Sequence, residues 1–216
     1  SVLRTFGSGA PGMDDGCLEV ATFRDPQGMA ILDGEVYVAD TGNKTIRTIA
    51  ATTVGRHSDQ RVLNVSTLCG KPGVAGLADG TFSECLLAGP TSIAMLPDGT
   101  LAVCDSANNN IRRLAVDARV CSTLAGSDAR AWGLVDGPSA EARFNTPKGL
   151  AISVSGDVWI ADTQNHCVRL LREDTQMIAT ADAAWEAQQQ AAMLTALPQA
   201  SSRAAWENGG KNGGAR

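Results

Sequence analysis

Histidine is nearly missing from this chain: its 216 residues include two, His57 and His166, neither with a partner at ligand spacing. A zinc centre built from histidines is therefore not expected. No Cys-x-x-Cys pair, no Gly-x-Ser-x-Gly elbow and no phosphate loop occurs, so the common signatures of zinc ribbons, serine nucleophiles and nucleotide sites are lacking too. No run of eighteen apolar residues occurs either, so no helical membrane span is expected. Positive charge is short as well: 18 Lys and Arg stand against 23 Asp and Glu, a formal net charge of -5. Phosphate backbones are bound through basic patches or stripes, which argues against nucleic acid as a partner. With 44% hydrophobic and 19% charged residues the chain has the composition of an ordinary globular protein, long enough for one domain with or without a tail. It opens on Ser1 with residues that read as a strand and not as a targeting peptide.

What the chain does have is internal repetition. The nonapeptides 39–47, 104–112 and 161–169 share the pattern small-Asp-x-x-Asn-x-x-aliphatic-Arg, placing Asp40, Asn43 and Arg47 in line with Asp105, Asn108 and Arg112 and with Asp162, Asn165 and Arg169. A second block precedes each, opening on Asp15-Gly16, Asp79-Gly80 and Asp136-Gly137. From each of these glycines, Phe23, Leu87 and Phe144 follow at one offset, Pro26, Pro90 and Pro147 at a second, and Ala30, Ala94 and Ala151 at a third. After each proline a short apolar run ends at a glycine turn (Asp33-Gly34, Asp98-Gly99, Ser155-Gly156), which predicts a hairpin into a second strand at 35–39, 100–104 and 157–161. The Asp-x-x-Asn segment then turns the chain into a third strand around Ile46, Ile111 or Val168, and a fourth is predicted at 61–69 and 119–125. Four short antiparallel strands repeated in series make a β-propeller blade.

These residues resemble the NHL repeat, over roughly 2–172, with two small departures: Leu87 where an aromatic is common, and Ser92 in place of Gly. The resemblance implies an all-β propeller with three recognisable four-stranded blades, at about 7–69, 70–125 and 126–180. Three blades do not close a ring, since even small propellers have four. The segment Val2–Phe6 reads as an extra N-terminal strand without a blade of its own. Either the propeller continues in a longer chain, or a homodimer of two three-bladed halves completes it. Residues 181–216 change to Ala, Gln, Ser and Gly, and the expectation there is a short helix over 183–197, capped by Asp182, followed by a flexible Gly-rich end.

Because Asp40, Asp105 and Asp162 hold equivalent places in successive blades, they are read as turn carboxylates accepting N–H bonds, not as a catalytic cluster. Asn43, Asn108 and Asn165 are assigned to the same turns, where Asn tolerates the left-handed conformation. Arg47, Arg112 and Arg169 are expected to lay their aliphatic stems over neighbouring blades. The six cysteines, Cys17, Cys69, Cys85, Cys104, Cys121 and Cys167, mostly replace Ala or Val of the other copies, so free thiols in a reducing compartment are favoured over a disulfide framework.

No catalytic residue, metal ligand or cofactor is assigned. Function is sought on the face carrying the opening loops and the second-to-third-strand turns. Gln27, Thr91 and Lys148 vary directly after the repeated proline, and Arg24, Lys71, Arg130, Trp132 and Arg143 are placed on the same face, mixed with the acids Asp14, Asp79, Asp128 and Glu141. Trp132 is the candidate anchor, with folding back on its own loop as the alternative. The leading expectation is a non-catalytic module recognising a protein or peptide. The alternatives are a propeller hydrolase or lyase with a central divalent cation, and an RNA-binding domain. The resemblance also brings in the peptidyl-amidoglycolate lyases, which use a histidine-held zinc, but the histidines for it are not in this sequence.

Overall fold

The computed structural model describes residues 4–53, 61–127 and 131–172. The first blade comprises β1 (Gly16–Cys17), β2 (Pro26–Leu32), β3 (Glu35–Asp40), β4 (Thr45–Thr53) and β5 (Arg61–Cys69). The second comprises β6 (Gly80–Thr81), β7 (Pro90–Met95), β8 (Leu101–Asp105), β9 (Asn110–Ala115) and β10 (Val120–Ala125), and the third β11 (Pro147–Ile152), β12 (Val158–Asp162) and β13 (Cys167–Leu171). All pairings within these sheets are antiparallel, in the orders β1-β5-β4-β3-β2, β6-β10-β9-β8-β7 and β11-β12-β13. The four main strands of the first two blades lie where the repeat predicts them. The helix and flexible end expected over 181–216, and any outer strand of the third blade after Arg172, fall outside the described residues.

The register explains the hairpins. Leu32 faces Glu35 across Asp33 and Gly34, both at positive φ (51° and 80°), the pairing of conformations that matches the twist of flanking strands. At the start of each innermost strand the pairing slips between Pro26 and Met29, Pro90 and Ser92, and Pro147 and Gly149. The repeated proline cannot donate to the ladder, and a bulge is where a sheet accommodates one.

Alternation along the strands builds two cores between the blades. Tyr37, Ala39 and Ile46 of the first blade pack with Ile93, Leu101, Val103 and Leu114 of the second, and Phe82 and Leu87 of the intervening segment fill the same layer. Ala102, Cys104 and Ile111, on the other side of the second blade, pack with Phe144, Val158 and Ile160. Gly28 belongs to this packing, because a Cβ there would run into Thr91 O and lie 2.7 Å from Ser92 Cα. The serine at the matching place in the second blade has a use: Ser92 Oγ accepts from Leu150 N in the third (3.1 Å). The outward faces of the end blades are apolar and uncovered among the described residues. Met29 and Ile31 are 67% and 65% exposed, and Trp159 and Val168 are 44% and 66% exposed where their counterparts Ala102 and Ile111 are fully buried.

Four expectations need correction. Arg4–Phe6, the described part of the expected N-terminal strand, join no sheet; instead Gly7 N donates to Leu18 O (3.1 Å), tying this segment to the first opening loop. The blades are also not strictly four-stranded, because β1 and β6, formed by the repeated Asp-Gly blocks, pair with the outermost strands β5 and β10. The left-handed residue of each turn is not the asparagine but the one after it: Lys44, Asn109 and His166, at φ 62°, 58° and 53°. Finally, the guanidinium groups of the three arginines do not reach out to neighbouring blades. Arg47 and Arg112 are fully buried and bond within their own repeats.

Candidate interaction face

Each opening loop is fastened by one repeated construction, its arginine buried in the first two copies and partly exposed in the third. Arg47 Nη1 donates to Thr22 O (3.0 Å) and pairs with Asp40 (2.9 Å), while Nη2 donates to Asp14 O (2.9 Å) and pairs with Asp15 (2.6 Å). Arg112 repeats this on Leu86 O (3.0 Å), Ala78 O (2.9 Å) and Asp79 (2.6 Å), with a looser approach to Asp105 (3.5 Å). Arg169 does so on Arg143 O (3.0 Å), Val135 O (2.8 Å), Asp162 (3.1 Å) and Asp136. Buried guanidinium groups are tolerated when their forks are met by oxygen acceptors in this way. Arg47 and Arg169 also lie over the rings of Phe23 and Phe144, at 5.2 and 5.1 Å, a contact the second copy gives up with Leu87.

The turn aspartates work differently from the expectation. None caps its own turn. Their Oδ1 atoms reach upstream instead, accepting from Arg24 N (2.7 Å) in the first blade, Ala88 N and Gly89 N (2.9 and 2.8 Å) in the second, and Asn145 N (2.7 Å) in the third. Oδ2 accepts from the repeated asparagine, Asn43, Asn108 or Asn165 (2.7, 2.6 and 2.8 Å). Burial raises the Asp105 carboxyl, against the lowering effect of these donors and of Arg112. Asp15 and Asp79 accept as well from the amide and hydroxyl of Thr67 and Thr123 on the outer strands. Asp79 is thus committed to this network and is not a free acid of the loop face.

The second amide hydrogen bond of each asparagine is the one that shapes the surface. Asn43, Asn108 and Asn165 donate to Gly12 O (2.6 Å), Gly76 O (2.7 Å) and Gly133 O (2.7 Å). The amides of the same three glycines donate to Phe23 O, Leu87 O and Phe144 O (3.0, 3.1 and 3.0 Å). Each loop is thus pinned at one glycine, and the residues beside the pin vary: Pro11 and Met13, Ala75 and Leu77, Trp132 and Leu134. Trp132 is 70% and Leu134 61% exposed, so the tryptophan is presented and does not fold back. Leu134 and Met13, the latter 54% exposed, were not foreseen; the signal was available as apolar residues flanking an aligned glycine.

Arg24, Gln27, Lys71, Arg143 and Lys148 are exposed, and none of these four cations is in an ion pair among the described residues. Arg143 lines a shallow groove with Ser127, Val135, Ala140 and Glu141, beside the Trp132 loop. Gln27, Thr91 and Lys148 all fall in the inner-strand bulges, where a strand re-aims its side chains. Thr91 is the exception to surface placement: it is 7% exposed, and its hydroxyl is shared with Ser106 Oγ (2.6 Å) and Lys148 O (3.3 Å). Arg130 lies outside the described residues. Among the described residues no group of three or more His, Cys, Asp or Glu is arranged to hold a metal ion, and no helix is long and apolar enough to cross a membrane.

Sheets of four principal antiparallel strands, stacked through successive repeats and latched by the same Asp–Asn–Arg set, define the β-propeller class. The family model for the NHL repeat matches residues 23–49 and 144–169. The chain is 30% identical over 161 residues to the chloroplastic protein SUPPRESSOR OF QUENCHING 1 of Arabidopsis thaliana, covering 71% of this chain and 14% of that protein. It is 26% identical over 171 residues to human NHL repeat-containing protein 2, covering 74% and 22%. An auxiliary nutrient binding protein of Bacteroides ovatus superimposes with a TM-score of 0.53 at 25% identity, covering 64% of this chain and 34% of that one. The chain belongs to the NHL-repeat family, and it spans about a third or less of each of these relatives.

Proposed function

We propose that this chain is a non-catalytic interaction module that recognises a protein or peptide on its loop face. The observation that carries the reading is Trp132: a large aromatic side chain, 70% exposed, beside a glycine locked by two hydrogen bonds. Held backbone with an exposed aromatic and arginine nearby is the composition of binding hot spots, because little entropy is lost on ordering it. The named binding role of the Bacteroides ovatus relative is consistent with this reading. Arg143 beside Trp132, without an acid of its own, favours a ligand with an apolar side chain next to a carboxylate.

The test is selection of peptides from a displayed library on the intact chain, followed by affinity measurement on Trp132→Ala and Arg143→Ala. Loss of about tenfold or more for each variant, roughly 1.4 kcal/mol, with unchanged urea unfolding, supports the reading. Equal affinity of wild type and both variants refutes it. Metal analysis addresses the hydrolase or lyase alternative, since stoichiometric calcium or zinc in the purified protein would overturn a purely binding role.

The apolar outward faces of the first and third blades are assigned to blade-on-blade contacts, made with a second copy or within a longer chain. Light scattering on Trp159→Lys with Val168→Lys separates the two. A dimer that the pair of substitutions dissolves supports the second copy, and an unchanged mass removes it.

A further inference from the structure

Three of the six thiols converge in one place. Cys69 ends β5 on the first blade, Cys85 sits in the turn after β6, and Cys121 lies on β10 opposite Gly80. All three belong to the apolar core between the first and second blades, and all are buried, with exposures of 1%, 0% and 0%. Cys85 shares this core with Cys69 and Cys121 as its thiol neighbours, and the buried Arg112 guanidinium acts on all three. As a neutral thiol Cys85 donates to Phe82 O at 3.6 Å. Every cysteine is free in this structure.

Packing does not require sulfur here. At the next interface, between the second and third blades, the places of Cys69 and Cys85 are taken by Ala125 and Ala142, which are buried to 1% and 6% exposure in the same way. The first interface therefore carries a grouping of thiols that the repeat does not demand. Donors surrounding a sulfur favour its thiolate, the form that acts as a nucleophile. The neighbouring Cys121 and Cys69 thiols, with help from the Gly70 amide and Arg112, hold the Cys85 thiol below the usual range, while the nearness of Cys85 and burial push Cys69 and Cys121 up.

We propose that Cys85 is a peroxide-reactive thiol that closes a disulfide onto one of its two thiol neighbours, cross-linking the opening segment of the second blade to β5 or to β10. The Cys85 thiolate attacks one oxygen of hydrogen peroxide; the O–O bond breaks, Cys85 becomes a sulfenic acid, and the departing hydroxide takes a proton to become water. The sulfur of Cys69 or Cys121 then attacks Cys85. The S–O bond breaks, and the hydroxide leaves as water with that thiol's proton. Two thiols lose two electrons in total and one peroxide is reduced to two waters. The three thiols are buried, so the proposal takes the smallest oxidant, hydrogen peroxide, as the reagent.

The experiment treats the reduced full chain with equimolar hydrogen peroxide under native conditions, alkylates the remaining thiols, and maps the cross-links by mass spectrometry. The expected result is loss of two thiols and two hydrogens per chain, with Cys85 in every cross-linked peptide. Cys85→Ala is the decisive variant because alanine is the residue that the other two copies carry at this position, Ala21 and Ala142, so the fold is expected to accept it. That variant should lose the cross-link altogether, whereas Cys17→Ser with Cys167→Ser should retain it. Cross-links in Cys85→Ala at the wild-type rate, oxidation confined to the partly exposed Cys17 and Cys167, or reaction only after urea unfolding would each overturn the proposal.

Discussion

Removing the Asp105 carboxylate tests whether the turn aspartates hold the blades by accepting hydrogen bonds or by pairing with arginine. In Asp105→Ala, the Ala88 and Gly89 amides lose their acceptor, at 2.9 and 2.8 Å, and Asn108 loses one of two partners but keeps Gly76 O. Arg112 loses little, because its approach to Asp105 is 3.5 Å while Leu86 O, Ala78 O and Asp79 remain. Two amides left without a partner at about 1–3 kcal/mol each give an expected loss of roughly 2–6 kcal/mol. Asp105→Asn keeps one oxygen for the two amides but points an NH2 at Asn108 and Arg112, so it should fall between wild type and alanine. Urea unfolding followed by tryptophan fluorescence measures both, provided the m-value is unchanged. A loss below ~1 kcal/mol for alanine refutes the hydrogen-bond account. Equal losses for Asn and Ala would mean that the charge, and with it the arginine, is what matters.

Two further outcomes follow from side chains in defined surroundings. Tyr37 is the only tyrosine, is 2% exposed, and donates to Glu35 (3.1 Å); burial first, then Glu35 and more distant acids, pushes its pKa up to about 12. The unfolded chain ionises its tyrosine near ~10, so the stability this group contributes is complete below that pH and is lost as pH rises through the folded value. Phenolate absorbance should titrate late in the folded protein, and Tyr37→Phe should flatten the alkaline fall in stability; ionisation near the unfolded value would refute the burial argument. At the left-handed turn positions, Lys44→Gly should stabilise by about 0.5–1 kcal/mol, since glycine meets no Cβ penalty there. Asn109→Gly should bring no such gain, because Asn109 Oδ1 accepts from Thr146 N (2.8 Å) and links the second blade to the third. Equal shifts in urea midpoint for the two variants would remove Asn109 from that link.

The blades were legible in the sequence because their signals are local. Proline, the glycine turns and the Asp-x-x-Asn spacing each fix backbone within a few residues, and their recurrence supplied the topology. What the spacing did not disclose was which groups meet across the fold. Arg47 and Asp15 are 32 residues apart, so an arginine that ends a repeat motif reads as a surface stem until the chain is folded. The Asp-Gly blocks read as loops because a two-residue strand has no periodicity to detect. The thiol cluster was hidden for the opposite reason. Aligning each cysteine with alanine or valine explains it one at a time and says nothing of three arriving at one point. Of the candidate interaction residues, exposure agrees for Arg24, Gln27, Lys71, Trp132, Arg143 and Lys148, whereas Thr91 is taken inward by the hydroxyl network of the inner strands.

The pairing of β6 with β10 closes the second repeat on itself, since Gly80 opens it and Cys121 lies at its far edge. The Asp79 carboxylate bonded to Thr123 across 44 residues locks that closure. A repeat so closed holds its first and last strands together by itself, while longer bonds such as Leu150 N to Ser92 Oγ tie it to the next blade. Blades can then be gained, lost or exchanged in evolution as whole cassettes cut just after the outer strand, with the blade-to-blade contacts the part to be remade, and the same cut points suit engineered arrays with an altered number of blades.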